Sequence, residues 1–159
     1  MSKKILLTAF HNTSSELLIK NITNYEMLIL PNDKVKDSEL LIASVSNRKY
    51  DYVISFGQRP NIKDKVHIET TAAKTGGICI NTNFECEVLK DIFEKSGIMA
   101  KISHNAGTSF CNSLYFNGLK YINENGLKTK MVFIHIPYDK NISCFENFRV
   151  RIFNVLEKI

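Results

Sequence analysis

Short apolar runs alternate with amphipathic stretches along the whole chain. Ile5 to Phe10 reads as a first strand and Met27 to Leu30 as a second, stopped by Pro31. Tyr52 to Phe56, Ile98 to Ser103 and Met131 to Ile136 read as further strands, and Val66 to Thr70 is strand-like as well. Helical spacing fills the gaps. Ser14 or Ser15 can cap a first helix running to Asn24, because a short hydroxyl side chain accepts from the free N–H groups there. Lys36 to Arg48 predicts a second, with Leu40, Leu41 and Val45 on one face. In Phe84 to Lys95, Phe84, Val88, Leu89, Ile92 and Phe93 recur at helical spacing, and Gly97 stands where a left-handed cap is wanted. Phe145, Phe148, Ile152, Leu156 and Ile159 form the stripe of a last helix, and core packing is its default explanation.

Alternating strands and helices predict an α/β fold: a three-layer α/β/α sandwich around a mostly parallel sheet. With no repeat, linker or low-complexity segment in 159 residues, a single domain over residues 1–159 is expected. In such folds ligands gather beyond the carboxyl ends of the strands. Four segments are expected there: Phe10 to Ser15, Gly57 to Lys65, Ser103 to Cys111, and His135 to Lys140.

Composition narrows the class. Hydrophobic residues at 44% and charged residues at 23% are ordinary for a globular protein. No apolar run approaches the roughly 18 residues that cross a bilayer, so no membrane role is expected. The short run after Lys3 and Lys4 ends at Thr8, too soon for a signal-peptide core, and a cytoplasmic location is expected. The formal net charge of +5 is spread along the chain among acids, as in Asn32 to Asp37, so a solvated basic surface is expected and not a nucleic-acid partner. In a reducing compartment Cys79, Cys86, Cys111 and Cys144 are expected to be free thiols. No CxxC pair or zinc-finger spacing occurs, so neither a metal nor a cofactor is expected.

The chemistry concentrates around one of those thiols. Ser103 to Asn112 joins a strand to a helix through small and polar residues, and Cys111 falls at the positive end of that helix. There a thiolate is stabilised, its pKa lowered, and the sulfur becomes a competent nucleophile. A small buried filler is the competing role for Cys111. A thiol nucleophile needs a base and a group that orients the base. His135 ends the apolar run Val132 to Ile136, where a titratable ring is costly without a partner; its alternative is a core histidine bonded to backbone. His104 is a local rival, expected to line the loop. Glu69, after Val66-His67-Ile68, can receive the imidazole N–H; its alternative is a surface-facing strand carboxylate.

Asn105-Ala106-Gly107-Thr108-Ser109-Phe110-Cys111-Asn112, followed by Phe133-Ile134-His135-Ile136-Pro137-Tyr138, resembles the pyroglutamyl peptidase I family of cysteine peptidases. The family segments read S-x-x-A-G-x-x-x-C-N and F-I-H-x-P. The resemblance extends to Leu7-Thr8-Ala9-Phe10, Phe56-Gly57-Gln58 and Ile68-Glu69. It implies removal of an N-terminal pyroglutamate from a peptide or small amide with a blocked N-terminus. It further implies Glu69, Cys111 and His135 as catalytic residues, Phe10, Gln58 and Phe110 as substrate contacts, and self-association as a dimer or tetramer. The chain departs from the pattern after Phe10, where a P-F-G-G loop is missing, and at Thr70, where arginine is usual. Lys74 replaces an asparagine, and a long excursion is cut to about Thr75-Gly76-Gly77. A related cysteine amidohydrolase or aminopeptidase, and an inactive binding homologue, are the alternatives that these departures leave open.

Overall fold

The computed structural model describes residues 2–159. Eight strands and five helices follow in the order β1 Ile5–Phe10, α1 Ser14–Ile19, β2 Glu26–Leu30, α2 Lys34–Asn47, β3 Tyr52–Arg59, β4 Lys65–Glu69, β5 Thr71–Lys74, β6 Ile78–Asn81, α3 Cys86–Lys95, β7 Met99–Ser103, α4 Phe110–Glu124, β8 Lys130–Pro137 and α5 Phe145–Glu157. Six strands form one sheet in the order β2-β1-β3-β8-β4-β7, and β5 with β6 forms a separate antiparallel hairpin. All neighbouring pairs of the large sheet are parallel except β4 with β8.

Side-chain alternation sorts the core into two layers. Leu7, Ala9, Ile54, Phe56, Val132 and Ile134 face α1, α3 and α5, which contribute Leu18, Ile19, Leu89, Phe93, Phe148 and Ile152. Leu6, Phe10, Val53, Met131 and Phe133 face α2 and α4, which contribute Leu41, Val45, Leu114, Tyr115 and Leu119. This is the expected three-layer sandwich with a mostly parallel sheet. Its central strands are apolar on both faces because both are covered.

Several boundaries differ from the sequence expectation. Helix α1 stops at Ile19, and neither serine caps it. Its N-cap is Thr13, which makes no capping bond. The serines instead tie the helix to the sheet: Ser14 Oγ donates to the Pro137 carbonyl at 2.7 Å, and the Phe10 N–H donates to Ser15 Oγ at 3.2 Å. Helix α2 starts at Lys34, two residues early, since Asp33 accepts from the N–H groups of Val35 and Lys36. On the faces read from periodicity, Leu41, Val45, Leu89 and Phe93 are buried, whereas Leu40 and Val88 are exposed. Gly97 does take the left-handed conformation, with φ of 85°.

The direction of β4 and β7 matters most for the site. Because β4 runs against β8, β7 does too, so the Ser103 end of β7 lies level with Phe133 and not with the carboxyl rim of β1, β3 and β8. The segment from Ser103 to Cys111 therefore reaches the site from the other direction, over the α4 face of the sheet.

One buried acid in this framework has no counterion among the described residues. Asp37, in the first turn of α2, is 1% exposed, and neither carboxylate oxygen has a hydrogen-bond partner among the described residues. Burial raises its pKa. A raised folded-state pKa means that stability is full when the group is protonated and falls as pH rises through the carboxylate range. Asp37→Asn is expected to melt about 2–4 °C higher at neutral pH, the shift that about 1 kcal/mol gives a chain of this size. Melting curves taken down to acid pH should show the gain disappearing; a lower midpoint at neutral pH would refute the assignment.

Candidate active site

Strand β8 carries His135 onto the α4 face of the sheet, two residues beyond Phe133, and Phe133 lies directly opposite Glu69 of the antiparallel neighbour β4. The carboxylate and the imidazole thus share one face, and Glu69 Oε1 accepts from His135 Nδ1 at 2.8 Å. Glu69 is fully buried and His135 is 4% exposed, so water does not compete for this bond. A carboxylate only accepts, so Nδ1 carries a ring proton and Nε2 is the nitrogen left facing away from Glu69. Glu69 is therefore no surface-facing strand residue, and His135 is no core histidine satisfied by backbone.

The sulfur of Cys111 comes from the opposite layer, on the second residue of α4. Gly57 on β3 stands beside His135 across the β3–β8 ladder, and a Cβ placed on Gly57 would lie 2.6 Å from Cys111 Sγ. The nucleophile candidate sits directly over that glycine, next to the imidazole strand. No hydrogen bond joins the sulfur to His135 among the described residues. Cys111 is 7% exposed, and burial pushes its thiol up to about 12, outweighing the lowering pull of the Ser109 hydroxyl. The direction is opposite to the expectation of a thiol lowered by the helix end, because burial disfavours the thiolate. Burial thus favours the thiol over the thiolate at Cys111.

A cavity of about 250 Å³ opens onto the sulfur, lined by Phe10, Gln58, Phe110 and Cys111 together with Thr13, Asn32, Ser109 and Tyr138. All three expected substrate contacts therefore meet at the thiol. Behind the cavity's Phe10 the aromatic packing continues, to Phe133 with ring centroids 6.3 Å apart and from Phe133 to the His135 ring at 4.9 Å. Gln58 Oε1 accepts the Ser14 N–H at 3.0 Å, which orients the amide and turns its NH2 group away from α1. Ser109, the N-cap of α4, makes no side-chain capping bond, so the first N–H groups of the helix stay available beside the sulfur.

Two basic residues near the carboxylate were not singled out from sequence. Arg59, the last residue of β3, donates from Nη1 to Glu69 Oε1 at 2.9 Å and to the Asn105 carbonyl at 3.0 Å. His67 lies across the β4–β8 ladder from His135 with both ring nitrogens buried and unpartnered; burial, and then the Arg59 charge, lower its pKa. The basic Arg59 directly after Gln58 was the only sequence signal for the first, and the strand alternation of His67 with Glu69 the only signal for the second. The rival His104 is exposed and bonded to the Thr70 hydroxyl at 2.6 Å. No group of three His, Cys, Asp or Glu side chains among the described residues could hold a metal ion, and no described helix is long and apolar enough to cross a membrane.

The pyroglutamyl peptidase family model matches residues 59–145. The chain is 31% identical over 172 aligned positions to the pyrrolidone-carboxylate peptidase of Thermoanaerobacter sp. strain X514, covering 85% of this chain and 82% of the relative. It is 29% identical to the enzyme of that name from Fusobacterium nucleatum, covering 86% and 78%. Among solved structures, pyroglutamyl peptidase I from Bacillus amyloliquefaciens superposes with a TM-score of 0.86 at 20% identity, over 98% of this chain and 93% of that one. Pyrrolidone carboxyl peptidase from Fervidobacterium islandicum superposes with a TM-score of 0.85 at 20% identity, over 99% and 98%. These two likenesses establish a shared fold.

Proposed function

We propose that this chain, which belongs to the pyroglutamyl peptidase family, releases N-terminal pyroglutamate from peptides with Cys111 as nucleophile, His135 as general base and acid, and Glu69 as the orienting carboxylate. The observation that carries the proposal is the buried Glu69–His135 bond on the sheet face where Cys111 overlies Gly57, at a cavity lined by Phe10, Gln58 and Phe110.

The steps follow from the protonation states. His135 Nε2 takes the Cys111 proton as Sγ attacks the pyroglutamyl carbonyl carbon, and the carbonyl oxygen becomes an oxyanion. The free N–H groups of Phe110 and Cys111 stabilise it, a contribution commonly worth about 3 kcal/mol. The imidazolium, held by Glu69, then protonates the departing amine, and the C–N bond breaks to leave a thioester. Water, losing a proton to His135, hydrolyses the thioester and restores the thiol. The ligand is a neutral lactam, suited to a small apolar slot with amide partners. With its Oε1 occupied by Ser14, Gln58 offers N–H donors to the lactam carbonyl.

Arylamide release from pyroglutamyl, prolyl and glutamyl reporters tests this reading. The pyroglutamyl reporter is expected to lead in kcat/KM by about 100-fold, because the prolyl analogue lacks the lactam carbonyl and leaves the site's donors unpaired. Equal or faster turnover of another reporter moves the assignment to a related aminopeptidase. A second reading, a binding homologue without turnover, draws on the resting Cys111 thiol, raised by burial and not bonded to the imidazole. A folded protein inert towards all three reporters would favour it.

A further inference from the structure

We propose that Arg59 is a positioning residue that fastens the orienting carboxylate Glu69 to the loop delivering Cys111; the inference rests on the catalytic reading of Cys111, His135 and Glu69. A single guanidinium nitrogen makes both connections, 2.9 Å to Glu69 Oε1 and 3.0 Å to the Asn105 carbonyl. Oε1 therefore accepts from Arg59 and His135 together, while Oε2 is buried without a partner. A fully buried carboxylate with one oxygen unsatisfied depends on the charge beside it, and Arg59 is the cation in contact.

The second connection reaches the nucleophile. Asn105 lies in the segment between β7 and α4, and its Oδ1 accepts from the Gly107 N–H at 2.9 Å, closing a local turn in that segment. Beyond it, Lys34 Nζ donates to the Thr108 carbonyl at 3.2 Å. The loop thus hangs from two cations, and the Arg59 anchor is shared with the carboxylate that aims the base. Thr70, next to Glu69 in the chain, carries no charge, and the cation in contact with the carboxylate comes from β3. The charged and titratable groups facing the Glu69–His135 pair are Arg59 from β3, His67 from β4, and Cys111 and Tyr115 from α4. His104 stands on the loop, and Lys65 and Lys101 act on His67 from farther out.

Replacing a fixed cation beside a carboxylate–imidazole pair makes the pair hold its proton to higher pH. Arg59→Met and Arg59→Gln are expected to lower kcat on the pyroglutamyl reporter at least about tenfold, with KM changed less than about twofold. The acid limb of the rate profile should move up by about one pH unit. Arg59→Lys, keeping the charge, should hold the limb at its original position and recover part of kcat. A limb unmoved in the Met and Gln variants overturns the proposal, as does a limb moved in the Lys variant by as much as one pH unit. If Met does not fold, Gln decides, since its amide can still donate to the Asn105 carbonyl; if neither folds, Lys decides. Cys111→Ala is measured alongside: full turnover there would sink the catalytic reading itself, whereas an inert Cys111→Ala with normal Arg59 variants would sink only this inference.

Discussion

Cys111→Ala is expected to fold and to release no measurable arylamine from a pyroglutamyl reporter. The residue fills a small buried volume, so truncation to alanine is expected to cost about 1 kcal/mol and leave a cooperative melting curve. The loss of kcat/KM is expected to be at least about four orders of magnitude, because the members of a nucleophile–base pair act as a unit and lose their effect together. Cys111→Ser should fall nearly as far: its hydroxyl is a poorer nucleophile than sulfur at the same position and keeps its proton more tightly. Turnover within tenfold of the unmodified protein in either variant would end the mechanism. A companion measurement examines the resting state. Since burial pushes the Cys111 thiol up, its thiolate fraction near neutral pH is small, and its alkylation should rise steeply with pH. Peptide mapping is expected to find the exposed Cys79 and Cys144 labelled first. Faster labelling of Cys111 at neutral pH would mean that His135 already holds its proton before substrate arrives.

The elements that sequence revealed are those whose signal is local. β1, with all six residues buried, read plainly as a strand, and α5 as a helix, because burial on one face writes its own period. The hairpin of β5 and β6 was passed over as a shortened loop: four-residue strands containing Ala72 and Ala73 carry little β signal, and only the turn through Gly76 and Gly77, both at positive φ, marked the place. Strand direction was the deeper omission. Val66 to Glu69 reads the same in either orientation, yet running β4 against β8 is what sets Glu69 opposite Phe133 and within reach of His135. The same blindness hid Arg59 and His67. Their importance comes from pairing across β3, β8 and β4, a relation that no spacing along the chain encodes. The direction of the thiol's shift departs from the sequence expectation because a helix end is visible in sequence and the depth of its burial is not. What did carry over was the set of chemical types: a sulfur, an imidazole, a carboxylate, a glutamine and two phenylalanines now lie around one cavity or beside it.

The second large effect belongs to a residue with no side chain. Gly57→Ala places a methyl group 2.6 Å from Cys111 Sγ and 2.7 Å from Phe133 Cζ, closer than such atoms approach, so one of them has to move. Phe133 is fully buried and wedged among Phe10, Tyr115 and the His135 ring, leaving it little room to yield. Cys111 is held by the first turn of α4, a helix of 15 residues. Movement of the sulfur changes its position relative to His135, and movement of Phe133 tilts the imidazole packed against it. Overpacking of this kind is expected to cost about 1–3 kcal/mol of stability. A displacement of about 1 Å at the reacting atoms costs about 100-fold in rate. Gly118→Ala supplies the control, because its methyl group would meet Met131 Sδ at 2.6 Å and Leu41 Cδ2 at 2.9 Å, four strand positions away from His135 on β8. The two variants are expected to melt lower by comparable amounts, while kcat/KM per folded molecule falls about 100-fold for Gly57→Ala and stays within about threefold for Gly118→Ala. Equal losses in the two would show that the glycine under the sulfur serves packing alone, and that the position of Cys111 over the β3–β8 ladder has no bearing on turnover.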